Sequence, residues 1–395
     1  MLRITLLVAC FIIASFAPLH SLGQNGGNSE LQLFGYFQNT FRHESSFRTN
    51  RLTGVETASR ANTFLVQQLN LFGRRELGQN RRWLVQLNLE LLNSYSSFLR
   101  TGSLNLEEAW VLYRGSRQFN LKLGLQIPRF NALNEIKNRT PLLPYIVRPL
   151  VYESSFKEFI AVEEYVPQRG FVQAYGQFAG SRLKFDYAFY LGNTSSLLTF
   201  DNLLVANTAQ TGVDTTDAML FGFRFGARLS EWQLGFSATF DEVNDLIGLE
   251  PLVGGQANAF EGVPRTRVGF DIRYEGRWWW FDAEGIRVQY NVPVEEFEFD
   301  RTFGYATLGV LLRDVVQAYA SYWVTQDELL PNGWRQRIRV YVPTLGMAYT
   351  FPYNITIKAQ YAYAIIDAKN DIPGIPLFDD RSTVNNYSLA ISVVF

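Results

Sequence analysis

The chain has 395 residues, an aromatic content of 15% and a formal net charge of −1, with one cysteine and two histidines. A nearly neutral chain has no bulk electrostatic attraction to nucleic acid, so that class of partner is excluded. A single cysteine forms no internal disulfide, and two histidines make no histidine-rich zinc site. We therefore expect neither a metal centre nor a cofactor.

The N-terminus has the layout of a secretory signal peptide. A short basic start is followed by a continuous apolar run from Ile4 to Ala17 and then by small residues. The run is too short to cross a membrane as a helix. We predict that residues 1–23 are removed and that residues 24–395 form the mature protein, which keeps His43 as its one histidine.

One alternative concerns Cys10. The segment Leu7-Val8-Ala9-Cys10 resembles a lipoprotein acylation box, which would retain this cysteine at the N-terminus of the mature chain. The apolar run continues unbroken beyond Cys10, and this continuity favours removal of the whole segment as a signal peptide.

Alternation of apolar and polar residues at every second position recurs along the chain and predicts β-strands. We place sixteen strands, at 31–42, 62–73, 83–92, 104–113, 118–126, 168–179, 182–192, 216–228, 231–240, 265–275, 278–291, 300–312, 315–325, 336–350, 354–366 and 382–395. No apolar run of about 18 residues follows residue 17, so no membrane-spanning helix is predicted. Backbone groups in lipid must all be paired, and a closed barrel pairs them without helices.

Short and long connections alternate between these strands. The short ones lie at 114–117, 179–182, 229–231, 275–277, 313–314 and 352–354, and the long ones at 43–61, 127–167, 193–215, 241–264 and 367–381. This alternation is typical of outer-membrane barrels, which have short periplasmic turns and long external loops. We predict an all-β fold, a transmembrane antiparallel β-barrel of about 16 strands in the bacterial outer membrane. Segment 74–82 is long for a turn and leaves 14 or 18 strands as alternatives.

Two segments break the alternation, and we predict a β-bulge in each. Trp278–Phe281 fills both faces of its strand, and Pro343 separates two apolar rows of opposite parity. Several aromatic residues lie near strand ends and predict an interfacial girdle, with ordinary β-propensity as the alternative. They are Trp232, Trp278, Trp323, Phe351, Tyr353 and Phe395.

The last nine residues, 387–395, place apolar side chains at every second position and end on Phe395. A strand that faces lipid needs no covering layer, whereas an edge strand of a soluble sandwich, the alternative, would need one. The ending also resembles the signal by which outer-membrane barrels are recognised for insertion. This resemblance implies that Phe395 is an assembly signal. It also implies the barrel assembly machinery, outer-membrane lipid and lipopolysaccharide as partners.

The connection 127–167 is longer than loops that only join two strands, and its composition is too apolar for a disordered segment. Its middle, Pro141–Leu150, is rich in proline and leucine. We predict that it folds into the barrel as a constriction loop, with an external lid or partner-binding loop as the alternative. Its charged residues would then lie at the narrowest point; they are Glu135, Lys137, Arg139, Arg148, Glu153, Lys157 and Glu158.

Charged residues alternate with apolar ones on several strands and predict a charged lumen wall. We assign to it Arg224, Arg228, Arg267, Asp271, Arg273, Glu275, Arg335, Arg337 and Arg339, together with Arg287. Rings of like charge would select ions by sign. Cross-strand pairs of arginine and carboxylate that brace the wall are the alternative, and the balance of charge favours weak selectivity.

Three segments resemble the phosphate-selective porin family. Residues 107–114 read EEAWVLYR, 121–130 read LKLGLQIPRF and 169–176 read RGFVQAYG. The resemblance covers about residues 100–195 and implies a porin barrel, small solutes and a homotrimer. The lysines that would concentrate phosphate are few and scattered, so phosphate is not predicted as the solute. They are Lys122, Lys137, Lys157, Lys184, Lys358 and Lys369.

We predict a porin that allows passive diffusion of small hydrophilic solutes or ions through a water-filled lumen, and no enzymatic activity. An outer-membrane enzyme is one alternative. A serine–histidine pair would have to use His43, which has no nucleophile motif beside it. Aspartate-based proteolysis stays open, although no acidic pair has a motif around it. A barrel that anchors secretion or adhesion is another. Calcium sites in the Asp-rich segments at 241–245 and 367–380 stay an alternative, although these segments lack the spacing of an EF-hand.

Overall fold

The computed structural model describes residues 30–50, 54–92, 103–152, 168–180, 182–194, 196–198, 210–214, 218–243, 262–293, 298–312, 315–330, 336–370 and 380–395. The predicted signal peptide, residues 1–23, lies outside this part of the chain. The described residues form two short 3₁₀ helices, Thr140–Leu142 and Leu150–Tyr152, and eighteen strands. None of the helices in these residues is long and apolar enough to cross a membrane.

The strands are β1 (Gln32–Asn50), β2 (Glu56–Leu77), β3 (Trp83–Leu92), β4 (Ser103–Arg114), β5 (Asn120–Gln126), β6 (Arg169–Ala179), β7 (Leu183–Gly192), β8 (Ser196–Leu198), β9 (Gln210–Asp214), β10 (Leu220–Leu229), β11 (Trp232–Val243), β12 (Val263–Glu275), β13 (Trp279–Tyr290), β14 (Glu298–Leu312), β15 (Val316–Leu330), β16 (Gln336–Phe351), β17 (Ile355–Asn370) and β18 (Asp380–Val394).

Sixteen of these strands close into one antiparallel barrel. Each pairs with its neighbours in sequence, except that β7 pairs with β10 because β8 and β9 form a separate two-stranded sheet in the connection between them. Pairing of β1 with β18 closes the ring, with Tyr36 opposite Val394. Closure leaves no unpaired sheet edge. The prediction of an all-β barrel of about 16 strands is confirmed.

Apolar side chains face outward and polar ones inward, as the alternation predicts for β7, β10, β11, β12 and β17. Phe270 on β12 is 60% exposed, whereas Arg224 on β10 is 4% exposed and Ser237 on β11 is fully buried. An outer apolar face without any covering layer is stable in lipid and unstable in water.

The two ends of the barrel differ in their connections. Short turns, the start of β1 and the end of β18 lie at one end of the barrel, which we call the turn end, and the longer connections join strands at the other, the loop end. The predicted long loop 43–61 is wrong, because β1 and β2 pair almost to their tips and leave only 51–55 between them. Likewise β2 extends to Leu77, so segment 74–82 adds no strand.

The barrel has a short wall and a long wall. Strands β3–β7 and β10–β13 have 7 to 13 residues and form the short wall. Strands β14–β18, β1 and β2 have 15 to 22 residues and form the long wall. About 9–11 residues of a tilted strand cross the hydrocarbon of a bilayer, so the long wall extends beyond it at the loop end.

On the long wall, the apolar face changes side along the strand. In β16, Leu345 faces outward and is 60% exposed, whereas Val340 and Val342 face inward and are buried. Pairing of β15 with β16 continues through Pro343 without a register shift, so the bulge predicted there is wrong. The bulge predicted at Trp278–Phe281 is also wrong, because pairing of β13 with both neighbours is continuous.

Aromatic residues pack together on the outer face near the turn end of the short wall. Trp83 packs against Tyr113 in a tilted arrangement, and Tyr274 packs in the same way against Trp232 and stacks on Trp279. Trp323 was predicted to join this girdle, and that assignment is wrong. Its side chain points into the lumen, is fully buried and donates a hydrogen bond from Nε1 to Ser321 Oγ at 2.6 Å.

Phe395 lies at the seam between the first and last strands. Its backbone N–H donates to Gly35 O at 2.9 Å, and its carbonyl accepts from Gly35 N at 2.8 Å. The ring covers Gly35, where an added Cβ would come within 2.8 Å of it. The glycine is therefore required for the close approach of this ring. The role of Phe395 as an assembly signal stays a prediction.

Candidate functional site

Residues 127–152, which we call the inner segment, follow β5 and cross the interior of the barrel. Strand β5 has only 7 residues, so the chain leaves the wall before reaching the loop end. Phe130, Ile146 and Val147 of the segment are fully buried. Glu153, Lys157 and Glu158, which the sequence assigns to the same loop, lie outside the described residues.

One side of the inner segment is apolar and packs in a buried cluster, mainly with inward-facing residues of β13–β18. From the segment come Phe130, Leu133, Val147, Leu150, Val151 and Tyr152, and from these strands Ile286, Val288, Tyr290, Phe299, Phe303, Tyr305, Trp323, Val340, Val342, Ala362, Ala364, Ile366 and Val384. Each fully buried side chain of this size contributes about 1.5–3 kcal/mol. Burial of these side chains therefore stabilises the position of the segment inside the barrel.

Two polar residues of β17 bind the backbone of the inner segment. Lys358 Nζ donates to the carbonyl oxygens of Thr140, Pro141 and Tyr145 at 2.9, 3.2 and 3.3 Å, and to Gln38 Oε1 at 3.0 Å. Gln360 Oε1 accepts hydrogen bonds from the N–H groups of Ile146 and Val147 at 2.6 and 2.8 Å. Its Nε2 donates to Val147 O at 2.9 Å. These contacts fix the middle of the segment on the long wall.

The first part of the segment binds the opposite strands. Asn131 N–H donates to Ser237 Oγ at 3.0 Å, and the Asn131 side chain covers Gly269, where an added Cβ would come within 2.3 Å of Oδ1. Glu284 on β13 accepts from Leu133 N–H and from the Tyr152 hydroxyl, both at 2.6 Å. The segment is thus attached to strands all around the barrel.

The other side of the segment carries positive charge toward the acidic residues of β3 and β4. Arg139 Nη2 lies 3.6 Å from Glu108 Oε1, and Asn138 Nδ2 donates to Glu107 Oε2 at 2.9 Å. Glu90 accepts from Gln68 Nε2 at 2.7 Å beside them. Arg139 and Asn138 of the segment therefore face the acidic residues of the short wall.

The predicted charges of the segment differ in their access to water. The side chains of Arg139 and Glu135 are each 35% exposed, and Glu135 pairs with Arg129 at 3.3 Å. Lys137 is buried, which lowers the pKa of its ammonium group well below the ordinary value, and its Nζ donates to Asn134 Oδ1 at 2.9 Å. Arg148 donates to Lys137 O at 2.6 Å and so braces the segment itself.

The charges of the short wall form cross-strand pairs. Arg224 donates to Asp186 Oδ2 at 2.9 Å and to Asp271 Oδ1 at 2.8 Å. It reaches Asp271 across β11 because Gly235 has no side chain; an added Cβ there would come within 2.0 Å of the Asp271 carboxylate. Arg267 Nη1 lies 3.2 Å from Asp241 Oδ1. This arrangement matches the bracing pairs, not a ring of like charge.

Further pairs lie toward the turn end. Arg273 Nη1 is 3.7 Å from Glu275 Oε1, and its Nη2 is 3.5 Å from Asp282 Oδ2. Arg228 donates to Gln233 Oε1 at 2.8 Å and is exposed. Arg228 and Glu275 are exposed at this mouth of the barrel, whereas Arg273 and Asp282 are largely shielded from water.

Two of the predicted lumen residues, Arg337 and Arg339, do not line the lumen. They share the outward face of β16 with Leu345 and Met347, because no bulge at Pro343 changes the parity. Arg287 also faces outward, where its Nη2 pairs with Asp300 Oδ2 at 2.7 Å. Arg335 lies outside the described residues.

Solved structures with the same barrel provide the comparison. The anion-selective porin from Comamonas acidovorans matches with a TM-score of 0.54 and 10% identity, over 93% of this chain and 100% of that chain. OmpF of Salmonella typhi, in a complex with daunomycin, matches with a TM-score of 0.53 and 11% identity, over 92% and 98%. The loop L8 deletion mutant of OmpT, an outer membrane protein of Vibrio cholerae, matches with 0.53 and 10%, over 93% and 100%.

Identities near 10% show the fold alone. The closed barrel of sixteen strands and these neighbours define a porin-like barrel of the bacterial outer membrane. The turn end is accordingly the periplasmic end and the loop end the external one. No model of a known protein family matches the chain, and no curated protein matches it. The finer resemblance to phosphate-selective porins therefore stays a prediction.

The expectation that the chain has no enzymatic activity needs correction. The structural neighbours include OmpT beside the named porins, all at about 10% identity. A barrel shared at this level is common to proteins with different activities. The exclusion drawn from the lack of a nucleophile motif near His43 is therefore withdrawn.

Proposed function

We propose that this protein is an outer-membrane channel for small hydrophilic solutes and that the inner segment forms the narrowest part of its path. The observation that supports this proposal is the two-sided packing of the segment. Its apolar side is buried mainly against the long wall, and its charged side faces Glu107 and Glu108 of β4. Solutes then pass between the inner segment and strands β3–β6.

The partly exposed charges indicate where this path lies. Arg129, Glu135 and Arg139 all retain contact with water, and the Arg129 guanidinium lies 4.2 Å from the centre of the Tyr175 ring on β6. In a narrow passage with reduced screening, such charges act strongly on a passing ion. Because both signs are present, we propose weak ion selectivity and passage of polar or zwitterionic solutes. A homotrimeric assembly also stays a proposal.

The direct test is single-channel recording of the purified protein in a planar bilayer, with reversal potentials measured in a salt gradient. Arg129→Glu combined with Arg139→Glu should shift the selectivity toward cations, because two positive groups in the path become negative. Arg277→Glu, in an exposed periplasmic turn, is the matched control and should leave the reversal potential unchanged. A folded protein without conductance, or equal reversal potentials in all three proteins, would refute the proposal.

A further inference from the structure

Four basic residues lie together on the outer face of the long wall, at its external end. They are Arg337 and Arg339 on β16, Lys369 on β17 and Arg381 on β18, and we call them the basic cluster. Each has the parity of outward-facing apolar residues farther down its own strand, namely Leu345, Ile357 and Leu389. The cluster therefore points away from the lumen, toward the surroundings of the barrel.

Positive charge is concentrated in this cluster. Arg337 stands directly opposite Lys369, and like charges directly opposite each other in a sheet are destabilising. Asp367 is opposite both Arg339 and Arg381. On the other side Glu328 is opposite Arg337, and Gln326 Oε1 accepts from Arg339 Nε at 2.8 Å. The described outward face of β15–β18 thus holds four cations and two carboxylates at this level, a surplus that a further anion would neutralise.

The height of the cluster on the barrel indicates which anion that is. Immediately below it on the same face lie Tyr341, Ile365, Tyr363, Thr383 and Asn385, and the apolar band follows. Tyrosines mark the boundary between hydrocarbon and headgroups. The basic cluster therefore stands at the level of the headgroups of the outer leaflet. Arginine and lysine together are the groups that bind phosphate in proteins.

We propose that the basic cluster binds the phosphorylated headgroup of lipopolysaccharide, with the acyl chains against the apolar band below. A phosphate between Arg337 and Lys369 removes their mutual repulsion. It also gives a role to the charges on the outer face of β16–β18 where these strands continue beyond the hydrocarbon. This surface is separate from the proposed path for solutes. A negative result in the lipid-binding test would therefore leave the proposed channel function unaffected.

The test measures lipid binding to the purified full-length protein in detergent. The probes are bisphosphorylated lipid A, the same lipid without its phosphates, and inorganic phosphate as a competitor. The cluster variant carries Arg337→Gln, Lys369→Gln and Arg381→Gln. The matched control carries Arg117→Gln, Arg182→Gln and Arg277→Gln, which remove the same charge from exposed periplasmic turns. Lys369→Gln alone serves if the triple variant fails to fold.

We expect the phosphorylated lipid to bind the wild type and the control equally, and the cluster variant at least about tenfold more weakly, since each cation near a lipid surface contributes to binding. The single variant should lose affinity in the same direction by a few-fold. Equal binding of phosphorylated and phosphate-free lipid would overturn the proposal, as would equal binding by wild type and variant. Displacement by an equal concentration of inorganic phosphate would also overturn it, because the cluster would then recognise a free anion and not a lipid.

Discussion

The short wall and the long wall differ in what their inward-facing side chains do. The short wall carries charged pairs such as Arg224 with Asp186 and Asp271, and its glycines make room for them. The upper long wall carries Val340, Val342 and Trp323, which are buried with the inner segment. The inner surface of the barrel is therefore not uniformly polar. One side packs against the inner segment, and the other carries buried charged pairs.

The largest expected effect is the difference in stability between a carboxylate added to the long wall and one added to the short wall. Val342→Asp puts a carboxylate among apolar side chains, which should lower the free energy of unfolding by more than about 3 kcal/mol. Thr239→Asp on the short wall places the same group beside Arg267, whose Nη1 is 3.2 Å from Thr239 Oγ1. That change should cost less than about 1.5 kcal/mol. Urea unfolding of the refolded proteins measures both, and equal losses would remove the distinction between the walls.

A second prediction tests the attachment of the inner segment to the long wall. Lys358→Met leaves three backbone carbonyls without their shared donor, at a cost of about 2–3 kcal/mol. We expect cleavage within 127–152 by an added protease, and noisier, larger conductance. The control is Lys184→Met, an exposed lysine on β7. Unchanged protease resistance in the Lys358 variant would show that the apolar packing alone holds the segment.

A third prediction sharpens the comparison on the short wall. The alternation alone predicts that Ser237→Arg is tolerated, because the residue faces a wet lumen. In the structure Ser237 is fully buried under Asn131, so the arginine should displace the first part of the segment and change conductance while the barrel still forms. Phe270→Arg on the outer face should instead impair folding, by about 2–4 kcal/mol near the midplane of the bilayer. Gel electrophoresis of unheated and heated samples distinguishes the two outcomes, because a folded barrel migrates differently from the unfolded chain.

Much of the fold could be predicted from the sequence because lipid imposes a strict period of two on the strands. The number of strands and the outward position of Phe270 follow from that period. The long wall misled the prediction, because its period continues while the apolar face turns inward at the external end. Ile338 and Val340 are out of phase with Leu345 in the sequence, and this change of phase predicts a bulge at Pro343. Only the inner segment, packed against them, gives the physical reason.

The candidate site was predictable as a region and not residue by residue. The proline and leucine content of 141–150 indicates burial, and the charges beside it indicate a polar neighbour. Lys358 and Gln360 were missed, since single polar residues on a strand have no motif. The available signal is that Lys358 and Gln360 stand in the row of β17 opposite to its outward apolar residues, such as Ile357. Arg337 and Arg339 were misplaced by the same supposed bulge.

The central claim is that the inner segment narrows the lumen, and removal of residues 138–150 tests it most directly. The deletion should be joined by a short glycine–serine linker and checked for folding by its shift on gels after heating. Single-channel conductance in a planar bilayer should then rise severalfold relative to the wild type, because the path is no longer bounded by the segment. An unchanged conductance in the folded deletion would contradict the account, since the segment would then lie outside the path of the solute.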